Sequence, residues 1–298
     1  MSRSVRVFQV DAFTRERFTG NPAGVVLDAD SLSDAEMQSL AREMNNGDTA
    51  FVLQPDGDDH DVRLRFFTPR KEAGFVGHAT IAVHAVLRAL GRAPAPRQKQ
   101  STGIVQVEVE SGDGGYISIT QPPAPLRADI DAGQLDEALQ ALGLSHDDLL
   151  AEHPPAIAGS GSTRLLLAVR DGSVLAKLRP DQQRLAALSP LIGAAGYFIF
   201  TQRPSLPDCD TEARMFCPAL GIAEDPVSGN AHGMLGVYLL QQHALPRGDV
   251  IRFAGAQGHH LQRPGRVEVE LRLHQGALQS VRIRGQAVIV FETRVALD

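Results

Sequence analysis

Apolar and polar positions alternate from Val5 to Phe13, which predicts a half-buried strand. Asn21-Pro22-Ala23 within Gly20–Gly24 reads as a turn, with a short strand over Gly24–Leu27. Ser33 followed by Glu36 forms a capping box, so a helix is expected from there to about Met44, ended by Asn46-Gly47. Thr49–Leu53 and Val62–Thr68 read as further strands. From Ala79 to Leu90 the residues are apolar on nearly every side, so this helix should be buried all round. Such a helix flanked by short strands predicts a sheet wrapped around a central helix. Ile104–Glu110 and Tyr116–Thr120 then read as a hairpin joined by Gly-rich residues, and Gln121 to Pro125 as a linker.

The second half repeats this order. Leu165–Val169 reads as a strand, Asp181–Leu188 as a helix and Tyr197–Thr201 as a strand. Arg214-Met215-Phe216-Cys217-Pro218 matches Arg65-Phe66-Phe67-Thr68-Pro69, and Gly229-Asn230-Ala231 matches Gly77-His78-Ala79. A second largely apolar helix then runs to about Leu240, followed by paired strands over Val267–Leu273 and Val281–Ile283. The shared order favours duplication. A last strand, Ala287–Glu292, is expected to return to the first half. The expected domains are therefore 1–121 with 287–298, and 122–286.

Composition narrows the classes. The 298 residues are 43% hydrophobic and 21% charged, a globular balance. No apolar run is long enough for a membrane span, and the N-terminus lacks the apolar core of a signal peptide. A net charge of -6 with 5% aromatics and no basic stripe argues against nucleic acid as a partner. The two cysteines, Cys209 and Cys217, are too few for a disulfide framework and fit a reducing cytoplasm. A homodimer is the base-rate expectation for oligomeric state.

In a duplicated chain the two loop-to-helix junctions should face each other, each offering free N–H groups and a positive dipole end to a carboxylate. One junction carries His78; the other carries Glu224-Asp225-Pro226-Val227-Ser228-Gly229-Asn230. A histidine and an acid beside an anion cradle suit general acid–base chemistry on a carbon alpha or gamma to a carboxylate. Taken alone, His78 also reads as a polar cap, and Asp225 and Asp48 as turn residues. The thiol chemistry of racemases needs cysteines before the junction glycines, where this chain has Val76 and Ser228. His232, His243, His259 and His260 match no metal-ligand spacing, so no metal is expected. Gly159–Thr163 is Gly-rich without a nucleotide-binding context and reads as a loop.

Asn21-Pro22-Ala23, Ala41 to Asn45 with Thr49 to Val52, Phe67-Thr68-Pro69, Gly77-His78-Ala79-Thr80 and Glu224 to Ala231 occur in this order. Together they resemble the PhzF family of phenazine-biosynthesis-like isomerases over nearly the whole chain. The resemblance implies an α+β, diaminopimelate epimerase-like fold of two pseudo-symmetric half-barrels, each around a central helix, with the site between them. It also implies no cofactor, and proton transfer by a carboxylate. Residue by residue, Asp48 falls where the best-understood member has its catalytic Glu. His78 and Asp225 fall on the family's active-site His and second acid, and Asn230 on a Ser. Asp48, His78 and Asp225 are thus the expected catalytic residues. Gly77, Ala79, Gly229, Asn230 and Ala231 are expected to hold the substrate, a small carboxylic acid. Asp in place of Glu shortens the reach by one methylene, and misplacement of about 1 Å costs on the order of a hundredfold in rate. That change sustains an alternative from another class, a non-catalytic small-acid-binding protein that retains the fold.

Overall fold

The computed structural model describes residues 3–110, 114–159 and 162–297. The chain divides into two compact units, Met1–Gln121 with Arg284–Asp298, and Pro122–Ile283.

In the first unit, β1 (Ser4–Ala12) pairs antiparallel with β2 (Asn21–Leu27). The predicted turn at Asn21-Pro22-Ala23 is therefore strand. Proline is tolerated there because β3 starts pairing with β2 only at Ala23, so Pro22 owes that neighbour no N–H. Helix α1 (Asp34–Met44) opens on the predicted capping box. Ser33 Oγ accepts from the Glu36 N–H, and the Glu36 carboxylate accepts from the Ser33 N–H. It ends at Asn45, whose φ of 52° is the left-handed conformation of a helix stop. Then follow β3 (Asp48–Leu53), β4 (Val62–Phe67), β5 (Glu72–Ala73) and α2 (Gly77–Ala89). The unit continues with β6 (Arg97–Gln100), β7 (Gly103–Val109) and β8 (Ile117–Gln121). β7 and β8 form the predicted hairpin; its Gly-rich connection at 111–113 lies outside the described residues.

Every residue from Ala79 to Leu87 of α2 is buried, as the all-round apolar pattern predicts. Its alanines and valines pack on Phe8, Val25, Val52, Leu64 and Phe66 of the surrounding strands. Complete burial of each such valine or leucine contributes roughly 1.5–3 kcal/mol. The other face of the sheet packs Val26, Phe51 and Phe67 against Met37, Leu40 and Ala41 of α1.

The second unit contains β9 (Leu126–Arg127), α3 (Ala132–Leu142), β10 (Ala156–Ala158), β11 (Arg164–Ala168), α4 (Gly172–Lys177) and α5 (Gln182–Ile192). It continues with β12 (Gly196–Thr201), β13 (Thr211–Cys217), β14 (Ile222–Asp225), α6 (Gly229–Gln241), β15 (Val250–Gln257) and β16 (Gly265–His274). β17 (Ala277–Gly285) leads out of this unit. Last, β18 (Ala287–Ala296) pairs along the whole of β1, the expected return of the chain to the first half.

The repeat is structural. β2 runs parallel to β3, β3 antiparallel to β4, and β4 parallel to β6; β11, β12, β13 and β15 repeat these relations in the same order. Both central helices, α2 and α6, are 13 residues long. Bidentate pairs recur too. Arg65 grips Glu72 at 2.8 Å through two bonds, Arg214 grips Glu224 at 2.8 and 2.7 Å, and each guanidinium covers a Phe ring at 5.1 Å. Among the described residues no helix is long and apolar enough to cross a membrane.

Candidate active site

Asp48 is set by what precedes it. The left-handed stop at Asn45 turns the chain out of α1, and the Asn46 and Gln9 amides bond reciprocally at 2.8 and 3.2 Å. Asp48 then opens β3 opposite Ala23 of β2. Side chains alternate along a strand, so Asp48 shares the face of Ala50 and Val52, the face packed on α2.

His78 lies in the first turn of that helix. Its Nε2 is 3.8 Å from Oδ2 of Asp48, with side-chain exposures of 11% and 13%. The same Nε2 is buried without a hydrogen-bond partner. Burial pushes the His78 pKa down to about 4, so the ring is neutral at pH 7. The cap position of α2 is Val76, with no side-chain cap bond, and His78 caps nothing. The first helical bond here runs from the Thr80 N–H to the Val76 carbonyl. Ahead of it, the N–H groups of Gly77, His78 and Ala79 have no acceptor among the described residues. Gly77 needs neither its small size nor a special backbone for the fold, since a Cβ there would meet only Phe75 Cζ at 4.0 Å.

Behind this start lies a buried polar chain. His84 Nε2 is 3.1 Å from Gln98 Oε1, and the Gln98 amide donates to Thr80 Oγ1 and Gln100 Oε1, both at 3.1 Å. Strand β6 thus turns glutamines inward to satisfy the helix, fixing the turn that carries His78.

The second unit presents the corresponding junction with different residues. Met215 pairs with Asp225 as Phe66 pairs with Ala73, so Asp225 occupies the place of an alanine in the first unit. The Gln257 amide donates to the Asp225 carbonyl at 2.7 Å and accepts from the Ser228 N–H at 3.1 Å, clamping the loop before α6. The cap here is Ser228, whose Oγ accepts from the Ala231 N–H at 3.3 Å. That bond occupies Ala231, expected as a substrate contact, and leaves the N–H groups of Gly229 and Asn230 without acceptors among the described residues. His232 is fully buried, with Nδ1 2.9 Å from the Ser228 carbonyl.

The structure thus joins Asp48 and His78 in the first unit, and groups Asp225, Gly229, Asn230 and Ala231 at the equivalent place of the second. In the sequence the Gln257-Gly258 turn reads only as one that could reach a substrate; its clamp on the loop before α6 carries no motif. Cys217 is completely buried and its thiol is pushed up to about 11, which keeps it from being a nucleophile at neutral pH.

Comparison with known proteins places the chain in a family. The family described as phenazine biosynthesis-like protein matches residues 10–293. An uncharacterized isomerase of Clostridium acetobutylicum is 38% identical over 303 residues, 100% of both chains. The trans-2,3-dihydro-3-hydroxyanthranilate isomerase of Pseudomonas aeruginosa is 30% identical, over 98% of this chain and 99% of its own. The crystal structure of a Bacillus anthracis PhzF-family phenazine biosynthesis protein superposes with a TM-score of 0.89 at 27% identity, covering 99% of this chain and 100% of that one. With a match of this extent in sequence, fold and repeat order, the chain belongs to the phenazine biosynthesis-like (PhzF) family of isomerases.

Proposed function

We propose that this isomerase acts without a cofactor and moves a proton on a small carboxylic acid, with Asp48 taking the proton from one carbon and returning it to another position or face. The observation that carries the reading is the pair at the start of α2: Oδ2 of Asp48 and Nε2 of His78 are 3.8 Å apart, with no hydrogen-bond partner on that nitrogen, beside three N–H groups without an acceptor among the described residues. Asp48 supplies the base. The helix start, with its positive dipole end, attracts the negative charge that develops on the substrate carboxylate as the proton leaves. Neutral His78 orients the acid and can share its proton without adding a charge. In the second unit, Asp225 and the N–H groups of Gly229 and Asn230, which have no acceptor among the described residues, are assigned to binding a small acid. The dihydro-hydroxyanthranilate named for the Pseudomonas aeruginosa relative sets the class to try first, small cyclic amino or hydroxy carboxylates.

The test is solvent deuterium wash-in to such acids, followed by mass spectrometry. The parent should incorporate one deuterium, and Asp48→Ala should lose on the order of a hundredfold or more in rate. Equal exchange by both would remove Asp48 from the role. Binding by the parent with no exchange would favour the non-catalytic binding protein, for which the shorter Asp48 side chain speaks.

A further inference from the structure

The position that holds Asp48 in the first unit is empty of a side chain in the second, and a lone arginine stands beside it. Ala23 pairs with Asp48 across β2 and β3; in the repeat, Arg164 pairs with Gly196 across β11 and β12. A Cβ on Gly196 would come within 3.1 Å of Arg164 Cδ and would collide with Cys217 Sγ, so arginine and glycine fit one another.

Arg164 is 7% exposed. Its guanidinium donates to the Thr163 carbonyl at 2.8 Å and Ser162 Oγ at 3.0 Å, and Nε lies 3.4 Å from Met215 Sδ. Among the described residues no carboxylate pairs with it, in contrast to Arg65 and Arg214. A buried charge without a counter-ion is costly, and such groups are retained where a ligand supplies the opposite charge. The register also places Arg164 usefully. It lies against Met215, the cross-strand partner of Asp225, so guanidinium and acid share the sheet face that packs on α6. Phe198 on that face makes an edge contact with His232 of the helix at 5.2 Å.

We propose that Arg164 is a ligand-binding residue of the second unit that takes up the carboxylate of a small acid, one strand over from the glycine that stands where the first unit has Asp48. The proposal rests on the reading above that a small carboxylic acid is the substrate. The bonds to Ser162, Thr163 and Met215 use Nη1 and Nε and hold the guanidinium in place, leaving Nη2 to donate to a carboxylate oxygen.

The test uses succinate and anthranilate as probes, titrated by calorimetry in a buffer without other multivalent anions. The parent should bind at least one. Arg164→Gln, which keeps a donor for the Thr163 carbonyl, should weaken that binding tenfold or more, and Arg164→Lys should recover part of it. In the labelled parent, the Arg164 Nε–H resonance, assigned by its loss in Arg164→Lys, should shift on addition of the same acid. An unmoved resonance, a Gln variant binding within twofold of the parent, or a parent that binds neither acid would overturn the proposal. Asp48→Asn separates it from the functional reading. Undiminished deuterium exchange by Asp48→Asn would defeat the role of Asp48 and leave the Arg164 result standing.

Discussion

Nε2 of His78 and Oδ2 of Asp48 stand 3.8 Å apart, about 1 Å longer than a hydrogen bond. Catalytic contacts are often long before substrate arrives and tighten in the complex. Burial keeps His78 neutral by pushing its pKa down to about 4. The expected outcome is that the His78 ring resonances stay flat from pH 8 to pH 5.5. The rate profile should then carry no limb near the ordinary histidine value of about 6.5. A His78 titration midpoint near 6.5 would show that the ring is solvated and charges freely.

Burial has a consequence for stability as well. His84 and His232 are buried and, like His78, lowered from 6.5 to about 4. Their folded values lie below their unfolded ones, so between these pH values the unfolded chain binds more protons. Their contribution is fully present above about pH 6.5 and is lost as pH falls toward 4. At pH 5 each ring should cost on the order of 2 kcal/mol, at a pH still above the range of most carboxylates. Urea unfolding at pH 7 and pH 5 measures this. An unchanged midpoint would contradict the burial assigned to these rings.

Gly77→Ala separates fold from function. The added methyl has room and the backbone there is ordinary, so stability should hold or rise by about 0.4–1 kcal/mol through the unfolded chain. The same methyl sits at the open helix start, so deuterium exchange should fall at least tenfold. Full activity in a variant of equal or better melting temperature would show that no ligand approaches this turn. Gly24→Ala is the contrast, because its Cβ would lie 2.8 Å from Thr49 Oγ1 and the fold itself should suffer.

Gln257→Ala removes both bonds that clamp the loop from Asp225 to Ser228. Leaving a buried N–H unmatched costs about 1–3 kcal/mol, to be read from the chemical unfolding midpoint. Exchange activity should drop further than the unfolded fraction explains. A variant with the parent's stability and rate would mean that the loop is held by other contacts.

Much of this was legible in the sequence because the residues concerned act locally or periodically. Ser33 and Glu36 announce α1 through their own bonds, and the apolar run of Ala79–Leu87 announces a buried helix. Strand β6 was hidden because its inward residues are Gln98 and Gln100, so its buried face is polar and the alternation carries no hydrophobic signal. The Asn21–Ala23 segment misled because proline breaks a strand only where a neighbouring strand needs its N–H, and β3 joins β2 only from Ala23. The gap between Arg164 and Gly196 in the chain hides their pairing altogether; only the parallel register of β11 and β12 brings them together.

The return of β18 to β1 also orders events in time. β1 is flanked by β2 on one side and β18 on the other, from Ser4 opposite Ala296 to Ala12 opposite Ala287. During synthesis, which proceeds from the N-terminus, the first unit emerges with one edge of β1 unpaired and must wait for the entire second unit to be made. The later-made unit is contiguous in sequence and can complete itself sooner. A chain cut short before residue 287 and released would therefore hold a finished second unit and an unfinished first one, whose bare strand is the place for a chaperone or a misplaced neighbour to attach.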